Sequence, residues 1–520
     1  MRNMLRWLAA ALALAMIAPP AHAEWLEASN KHFIVYGNIS RRQLATFTDR
    51  LERYGAAVRY LFRLPDPPGG GANRVTIYVV GGTGAVQKYL GKGSNNVAGY
   101  YRSSVEGSFI VTPLNADGGN EYFNANLVLF HEYAHHLLLG NSDALYPGWL
   151  SEGMAELLAT AIVGDQGTVT FGAANNARAD SIFDDNLMSV KTLLASDGRR
   201  LDEHGIQQKY ARGWLLTHYL LFSRKRDGQL DQFLRLVAKG TPPVEAGTQA
   251  FGDLGKLNTE VNLYRSQRLN GLIIKPENIV IDPVTVRALT EAEASIMPLR
   301  FESATGVTTA EAQKLIPGAR KIADANPDNG WIQRVAAEME YDAGNNAEAE
   351  ARCDRALAID PKNLMAMVYK ARVHLRRAIK AGPADAAAWR DARHWIIQAN
   401  RIDPDYALPL VLFYSSYLLA HETPRPSAVD GLLHAVDLVP QESDVRVMAF
   451  GALLDKGDLP AARRVLAPVA FNPHATGENP VRAIVELIDS GADLTAVRTA
   501  AVAAKLIGNA EAAAQSVGGE

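Results

Sequence analysis

The sequence predicts an α+β domain followed by an all-α domain of helical repeats. In the first half, short apolar, β-branched segments such as Val75–Val80 come first and helices follow them. From about Thr308 to Ala470 the pattern is helical only, and short turns with a proline recur through it. The predicted divisions are a signal peptide at 1–23, the α+β domain at 24–278, a linker at 279–307, the repeats at 308–475, and capping helices with a tail at 476–520.

The composition is that of a globular protein without a strong charge. Among 520 residues, 53 Lys and Arg stand against 56 Asp and Glu, so the formal net charge is −3. A field of that size favours neither nucleic acid nor an anionic lipid surface, and we expect no nucleic-acid partner. The single cysteine, Cys353, cannot form an intrachain disulfide, and its place on the inward side of a helix predicts a small core residue.

The N-terminus has all the parts of a secretory signal peptide. Arg2 and Arg6 precede the apolar run Trp7–Ala18, and an Ala-x-Ala site ends at Ala23. The run is shorter than the ~20 residues that a membrane-spanning helix needs. We therefore expect cleavage between Ala23 and Glu24, no membrane span in the mature chain, and a periplasmic or secreted protein. The lack of disulfides favours a bacterial periplasm.

The helical half repeats with a period that points to a known architecture. Its turns carry Pro327, Pro361, Pro404, Pro440 and Pro473, so that successive prolines are 34, 43, 36 and 33 residues apart. This spacing is similar to that of tetratricopeptide repeats, which stack as helix pairs into a superhelix. The resemblance implies a surface that binds a protein partner. A helical bundle without repeats is the alternative.

One motif in the first half carries chemistry. Residues 131–136, His-Glu-Tyr-Ala-His-His, contain H-E-x-x-H, and on a helix His131 and His135 share a face one turn apart. Two imidazoles so placed can bind one metal ion, while Glu132 is positioned to act on a water molecule. Glu152 follows at a distance that lets a second helix turn back against the first and supply an oxygen ligand. These residues together predict a Zn²⁺ site.

Plainer interpretations of the same residues exist. His131 and His135 could be ordinary surface residues of a helix. Glu156, one turn after Glu152, either accepts a hydrogen bond from the outer nitrogen of a ligand histidine or is a solvated acid. His136 lies about 100° around the helix from His135, and this offset predicts no functional role for it.

H-E-x-x-H followed by W-L-x-E-G-x-A-E resembles the gluzincin group of zinc metallopeptidases, which have a zincin-like α+β fold. The likeness covers roughly residues 24–250 and is most specific over the segment 131–156. It implies hydrolysis of a peptide or protein substrate. The roles that it implies are zinc ligands at His131, His135 and Glu152, a catalytic base at Glu132, and Glu156 as the carboxylate that orients a ligand histidine.

Other features of that group are open or absent here. Gluzincins use a Tyr or His to stabilise the oxyanion, and Tyr210, His204 or neither could serve. The strand that lines the cleft, at the edge of the sheet, would lie near Ser108–Thr112. The G-x-M-E-N motif of gluzincin aminopeptidases has no match in the sequence, which argues against a simple aminopeptidase.

Two functions of different class follow. The first is an exported zinc metallopeptidase whose repeats present substrates or tether the enzyme to a partner. The second is an interaction scaffold in which the repeats bind a partner and the zinc domain is idle or gated. A zinc hydrolase of a non-peptide bond is a further alternative. The presence of Glu132 beside a complete ligand set favours the first, because an idle site has no physical need for a base.

Overall fold

The computed structural model describes residues 25–66, 74–82, 84, 86–87, 100–114, 125–140, 146–197, 199–471 and 479–507. The predicted signal peptide and the turn at Pro473 lie outside these residues. Within the described part of the chain, no helix is both long and apolar enough to cross a membrane.

The first half is built on a six-stranded mixed sheet in the order β4-β5-β3-β2-β1-β9. Strands β2, β3 and β5 run parallel, and the remaining neighbours are antiparallel. Three further short strands, β6, β7 and β8, form a separate antiparallel sheet. The strands are β1 (Leu26–Ser29), β2 (Phe33–Gly37), β3 (Val75–Val80), β4 (Tyr100–Arg102), β5 (Phe109–Pro113), β6 (Ile162–Val163), β7 (Val169–Phe171), β8 (Leu272–Ile274) and β9 (Thr285–Ala288).

Within the described residues of this half, nine α-helices follow or cross the sheet. The first, α1, starts at Ser40, whose side chain accepts a hydrogen bond from the backbone N–H of Gln43 in a capping box. Helix α1 crosses between the parallel strands β2 and β3, as a parallel pair requires. The helices are α1 (Arg41–Phe62), α2 (Ala125–Gly140), α3 (Gly148–Ala159), α4 (Ala179–Ile182), α5 (Val190–Leu194), α6 (Glu203–Phe222), α7 (Gln229–Ala238), α8 (Pro243–Phe251) and α9 (Leu254–Tyr264).

One apolar core joins the sheet to the helices α1, α2 and α3. Phe33 and Ile110 enter it from strands, Tyr54 from α1, Leu137 from α2 and Trp149 from α3, and all are buried. Burial of a side chain of this size stabilises the fold by about 1.5–3 kcal/mol relative to exposure. Apolar packing therefore holds α2 and α3 against the sheet and against each other.

The segment 279–307, predicted as a linker, is part of the first domain instead. It contains β9, which pairs with β1 at the edge of the sheet, and α10 (Glu291–Ala304), which packs on the sheet through Met297 and Phe301. Strand β9 is half exposed and gives no clear apolar alternation. The capping box of α10, in which Thr290 pairs with Glu293, was the signal in the sequence for a helix here.

The second half is a stack of antiparallel helix pairs, in agreement with the predicted tetratricopeptide-like superhelix. Pro327, Pro361, Pro404 and Pro440 each lie in a turn between successive helices. Cys353 is buried in the apolar contact between two pairs, as predicted. The helices are α11 (Thr309–Ala325), α12 (Gly330–Asp342), α13 (Asn346–Ile359), α14 (Leu364–Ala381), α15 (Ala386–Ile402), α16 (Ala407–Leu419), α17 (Pro426–Leu438), α18 (Ser443–Lys456), α19 (Leu459–Ala470), α20 (Pro480–Asp489) and α21 (Leu494–Ala503).

Candidate metal centre

Helix α2 presents two histidines on one face. His131 and His135 are four residues apart, and their Nε2 atoms lie 3.2 Å from each other. Tyr133 and Leu137 are buried in the core on the other side of the helix. Core packing of α2 therefore sets the direction in which both imidazoles point.

Helix α3 packs against α2 and adds a carboxylate. Glu152 lies with Oε2 3.4 Å from His131 Nε2 and Oε1 3.6 Å from His135 Nε2. The three ligand groups lie within 4.8 Å of one another, and they are the one such group of three or more found in the described part of the chain. In a tetrahedral zinc site with bonds of about 2.0–2.1 Å, ligand atoms are about 3.3 Å apart. Two imidazole nitrogens and a carboxylate oxygen at these separations fit a zinc ion.

The outer nitrogens of both histidines have polar neighbours. His131 Nδ1 lies 3.6 Å from Glu156 Oε1, and His135 Nδ1 lies 3.3 Å from Ser151 Oγ. The Glu156 carboxylate, which only accepts, favours the His131 tautomer that leaves Nε2 free to bind a metal, whereas the Ser151 hydroxyl can donate or accept and favours neither tautomer of His135. The sequence predicted Glu156 in this place, whereas Ser151 was missed although it directly precedes Glu152.

Glu156 is itself held by two residues that sequence patterns did not indicate. Asn175 Nδ2 donates a hydrogen bond of 2.6 Å to Glu156 Oε2, and Arg178 Nη2 pairs with Glu156 Oε1 at 2.6 Å. Both residues come from the segment between β7 and α4, where Asn175 precedes a single 3₁₀ turn that ends at Arg178, and so short a turn has no periodicity to interpret. The interpretation of Glu156 as a solvated acid does not hold, because its side chain is 6% exposed and paired.

The two candidates for oxyanion stabilisation are placed differently. The Tyr210 ring centroid lies 6.2 Å from that of His131, and the Arg178 guanidinium carbon lies 4.8 Å from the Tyr210 ring centroid. His204 is 56% exposed and its charged neighbour is Asp184, 3.8 Å away. Tyr210 lies within α6, which begins at Glu203.

Charge and burial shape the protonation of the centre. Burial lowers the pKa of His131, but the carboxylates of Glu152, Glu156 and Glu132 outweigh that effect and raise it. Burial raises the pKa of Glu152, but His135 and His131 outweigh it and hold this pKa well below the usual range. Burial is the main cause that raises the pKa of Tyr210, and the negative charges of Glu152 and Glu156 raise it further. The Tyr210 hydroxyl therefore stays protonated. Negative charge thus dominates around the imidazole of His131, as suits a cation site.

Glu132 is half-buried beside His131 on α2. Its charge contributes to the raised pKa of His131 and also to that of Tyr101, on the strand β4. Its carboxylate is therefore close enough to act electrostatically on both a candidate metal ligand and the strand β4.

The segment predicted as the edge strand, near Ser108–Thr112, is not at the edge. It forms β5, which is covered by β4, and β4 is the edge strand of the sheet. Tyr101 Oη and Ser108 Oγ each lie 3.4 Å from His136 Nδ1 on α2. Burial, then Arg59 and His32, lower the His136 pKa to about 4. His136 is thus a neutral contact between helix and hairpin, a role that helical periodicity did not reveal.

Comparisons with known proteins cover this centre in part. Residues 128–245 match a family model described as "Protein of unknown function (DUF1570)". No curated protein matches the chain. Among solved structures, the chain is similar to one titled "Crystal Structure of the Yeast Tom70", with 12% sequence identity over 63% of this chain and 69% of that one, and a TM-score of 0.25. The family match contains the three candidate ligands as well as Glu132, Glu156 and Tyr210, and leaves the first strands and the repeats outside.

Proposed function

We propose that the first half of the chain is a zinc-dependent hydrolase of peptide bonds and that the repeats bind a protein partner. The hydrolase rests on one observation, the convergence of His131 Nε2, His135 Nε2 and the Glu152 carboxylate at separations of 3.2–3.6 Å. The resemblance to gluzincins in the H-E-x-x-H and W-L-x-E-G-x-A-E segments supports the same chemistry.

The chain's own residues would divide the work as follows. His131, His135 and Glu152 would hold the zinc ion, which when bound supplies a Lewis acid that polarises a carbonyl group and acidifies water. Glu132 would accept a proton from the attacking water and pass it to the leaving amine. The protonated Tyr210 hydroxyl would donate a hydrogen bond to the oxygen that gains negative charge.

The positions around the ligands support this division. Arg178 bonds Glu156 and covers the Tyr210 ring, so one cation orders both the histidine's neighbour and the hydroxyl donor. The absence of a G-x-M-E-N motif favours an endopeptidase, or an unusual peptidase, over an aminopeptidase. The sequence features of residues 1–23 favour a site of action in the periplasm or outside the cell.

Of the two proposed functions, partner binding is supported by more of the structure, because it rests on the architecture of half the chain. Stacked helix pairs offer a groove that suits an extended segment of another protein. In the alternative form of the proposal, the protein is an interaction scaffold and the metal centre is idle or gated.

Zinc content of the purified protein, measured by elemental analysis, tests the metal centre. We expect one zinc per chain, lost in His131→Ala and retained in His434→Ala, which removes a histidine from an exposed face of the repeats. A folded protein that holds no zinc after zinc is supplied would overturn the hydrolase and leave the scaffold as the proposed function.

A further inference from the structure

The turn between β4 and β5 inserts into the repeats. It is closed by Ser104, whose Oγ accepts a hydrogen bond from the Glu106 N–H at 3.1 Å and whose carbonyl accepts one from the Gly107 N–H at 2.9 Å. Gly107 has φ of 127°, a backbone conformation that other residues rarely adopt. These local bonds fix the shape in which Val105 and Glu106 are presented.

The repeats contact three features of this turn. The Val105 side chain packs against two apolar clusters that line α14 to α21. The Glu106 carboxylate pairs with Arg372 at 2.5 Å and accepts a hydrogen bond from Tyr369 Oη at 3.2 Å. Tyr406 Oη donates to the Glu106 carbonyl oxygen at 3.3 Å. An apolar side chain, a carboxylate and a backbone carbonyl are what a short peptide offers, so the repeats recognise a peptide-like segment of their own chain.

The two partners of this ion pair differ in burial. The Arg372 side chain is 7% exposed, whereas that of Glu106 is 31% exposed. A buried arginine is costly without an anion beside it. An ion pair that water reaches on one side is weak. Arg372 therefore needs an anionic partner, and a carboxylate from another protein can take the place of Glu106.

The surface that holds the turn, which we call the groove, has further arginines besides Arg372, which pairs with the turn. Beside Glu106 lies a cavity of about 770 Å³, a size within the ~300–1,000 Å³ of small ligand sites. Arg300 and Arg334 line it, with their guanidinium carbons 5.3 Å and 5.5 Å from the Trp331 ring centroid. Arg300 Nη1 and Arg372 Nε are buried there without a hydrogen-bond partner within the described part of the chain. Guanidinium donors of this kind bind carboxylates.

We propose that this groove is a binding site for an acidic segment of a partner protein, in which an apolar residue precedes a carboxylate, and that the turn 103–107 occupies the site when the partner is absent. The inference deepens the partner binding proposed above and does not depend on the metal centre. Because the turn is tethered, its effective concentration is high, and a partner must displace it. A further carboxylate on the partner would reach Arg300, whereas Arg334 already pairs with Glu338 at 2.9 Å.

Fluorescence anisotropy with a labelled peptide tests the site on the full chain freed of metal by a chelator. The probe has the sequence of residues 102–108, Arg-Ser-Ser-Val-Glu-Gly-Ser. We expect it to bind the double variant Val105→Ser with Glu106→Gln about tenfold more tightly than wild type, because the charged internal competitor is lost. Glu302→Gln, the same charge change at an exposed position of α10, should bind the probe as wild type does.

A second set of binding measurements tests whether the site is specific for the carboxylate of the probe. On the double variant, replacing Glu by Gln in the probe should abolish binding, and so should the further change Arg372→Gln. If Arg372→Gln does not fold, Tyr369→Phe removes one hydroxyl only and should weaken binding. Equal affinity for the Glu and Gln probes, equal affinity of wild type and double variant, or no binding to any of them would overturn the proposal. None of these results touches zinc content, so failure here is distinct from failure of the metal centre.

Discussion

Gly153 of α3 and Gly213 of α6 lie so close together that neither has room for a side chain. A Cβ on Gly153 would stand 2.4 Å from the Gly213 carbonyl oxygen, and a Cβ on Gly213 would stand 2.6 Å from the Trp149 carbonyl oxygen. Glu152 directly precedes the first glycine, and Tyr210 is one turn before the second. The crossing of these two helices thus brings Glu152, the proposed metal ligand, and Tyr210, the proposed hydroxyl donor, into one site.

This contact makes Gly153→Ala a test of the site's support. The added methyl meets backbone that cannot turn away, so we expect a loss of about 1–3 kcal/mol of unfolding free energy, measured by urea unfolding. Gly431→Ala, in α17, meets only the Leu410 side chain at 3.3 Å and is the control. It should be neutral or slightly stabilising, because alanine is the better helix former. Equal stability of the Gly153 variant and wild type would contradict the close crossing.

Glu132→Gln separates metal binding from proton transfer. The amide keeps the size of the side chain but cannot accept a proton, so we expect zinc content to be unchanged and hydrolysis of a peptide library to be lost. Glu203→Gln, at the exposed start of α6, is the matched control and should remain active. Wild-type rates in the Glu132 variant would rule out its assignment as the base.

Tyr210→Phe removes one hydroxyl and leaves the ring in place. If the hydroxyl stabilises the oxyanion, kcat falls about 10²–10³-fold while KM changes little. His204→Ala should have no such effect, since its side chain is 56% exposed and lies beside Asp184. The reverse pattern, a large loss with His204→Ala and none with Tyr210→Phe, would exchange the two assignments.

Asp342 gives the fold a dependence on pH. Burial, then Glu338 and Glu106, raise its pKa to about 7, against the opposing effects of Ser303 and Arg372. A carboxyl with a raised pKa holds its proton more tightly in the folded state, so its contribution to stability falls as pH rises from its ordinary pKa through about 7. Tenfold tighter proton binding corresponds to about 1.4 kcal/mol.

Asp342→Asn removes that titration. We expect the wild type to lose more unfolding free energy than the variant when the pH is raised from 5 to 8. Urea unfolding at each pH measures this difference. Asp328→Asn, in the exposed turn between α11 and α12, is the control and should follow wild type at both values. A constant difference between the Asp342 variant and wild type would show that this carboxyl does not titrate in that interval.

Local pattern was enough for part of the protein. The four-residue spacing of His131 and His135 is a property of one helix, and the prolines of the repeats mark turns that depend on neighbouring residues only. The positions of Glu152 and Glu156 could also be predicted from the sequence, because a short connection forces α3 to pack against α2. Strand β9 and helix α10 were missed, since a half-exposed strand has no clear periodicity and its pairing partner is far away in sequence.

The remaining features depend on contacts between distant segments. Arg178 and Asn175 reach Glu156 from a connection with a single 3₁₀ turn, whose path is set by packing and not by any repeat in the sequence. The bond of Glu106 with Arg372 joins the sheet to the repeats. The sequence by itself determined the helical spacing of the ligands and the repeat period, because both arise within a few residues. Only the tertiary structure decided which loop, turn and hydroxyl meet them, because those contacts follow from how whole helices and the sheet pack.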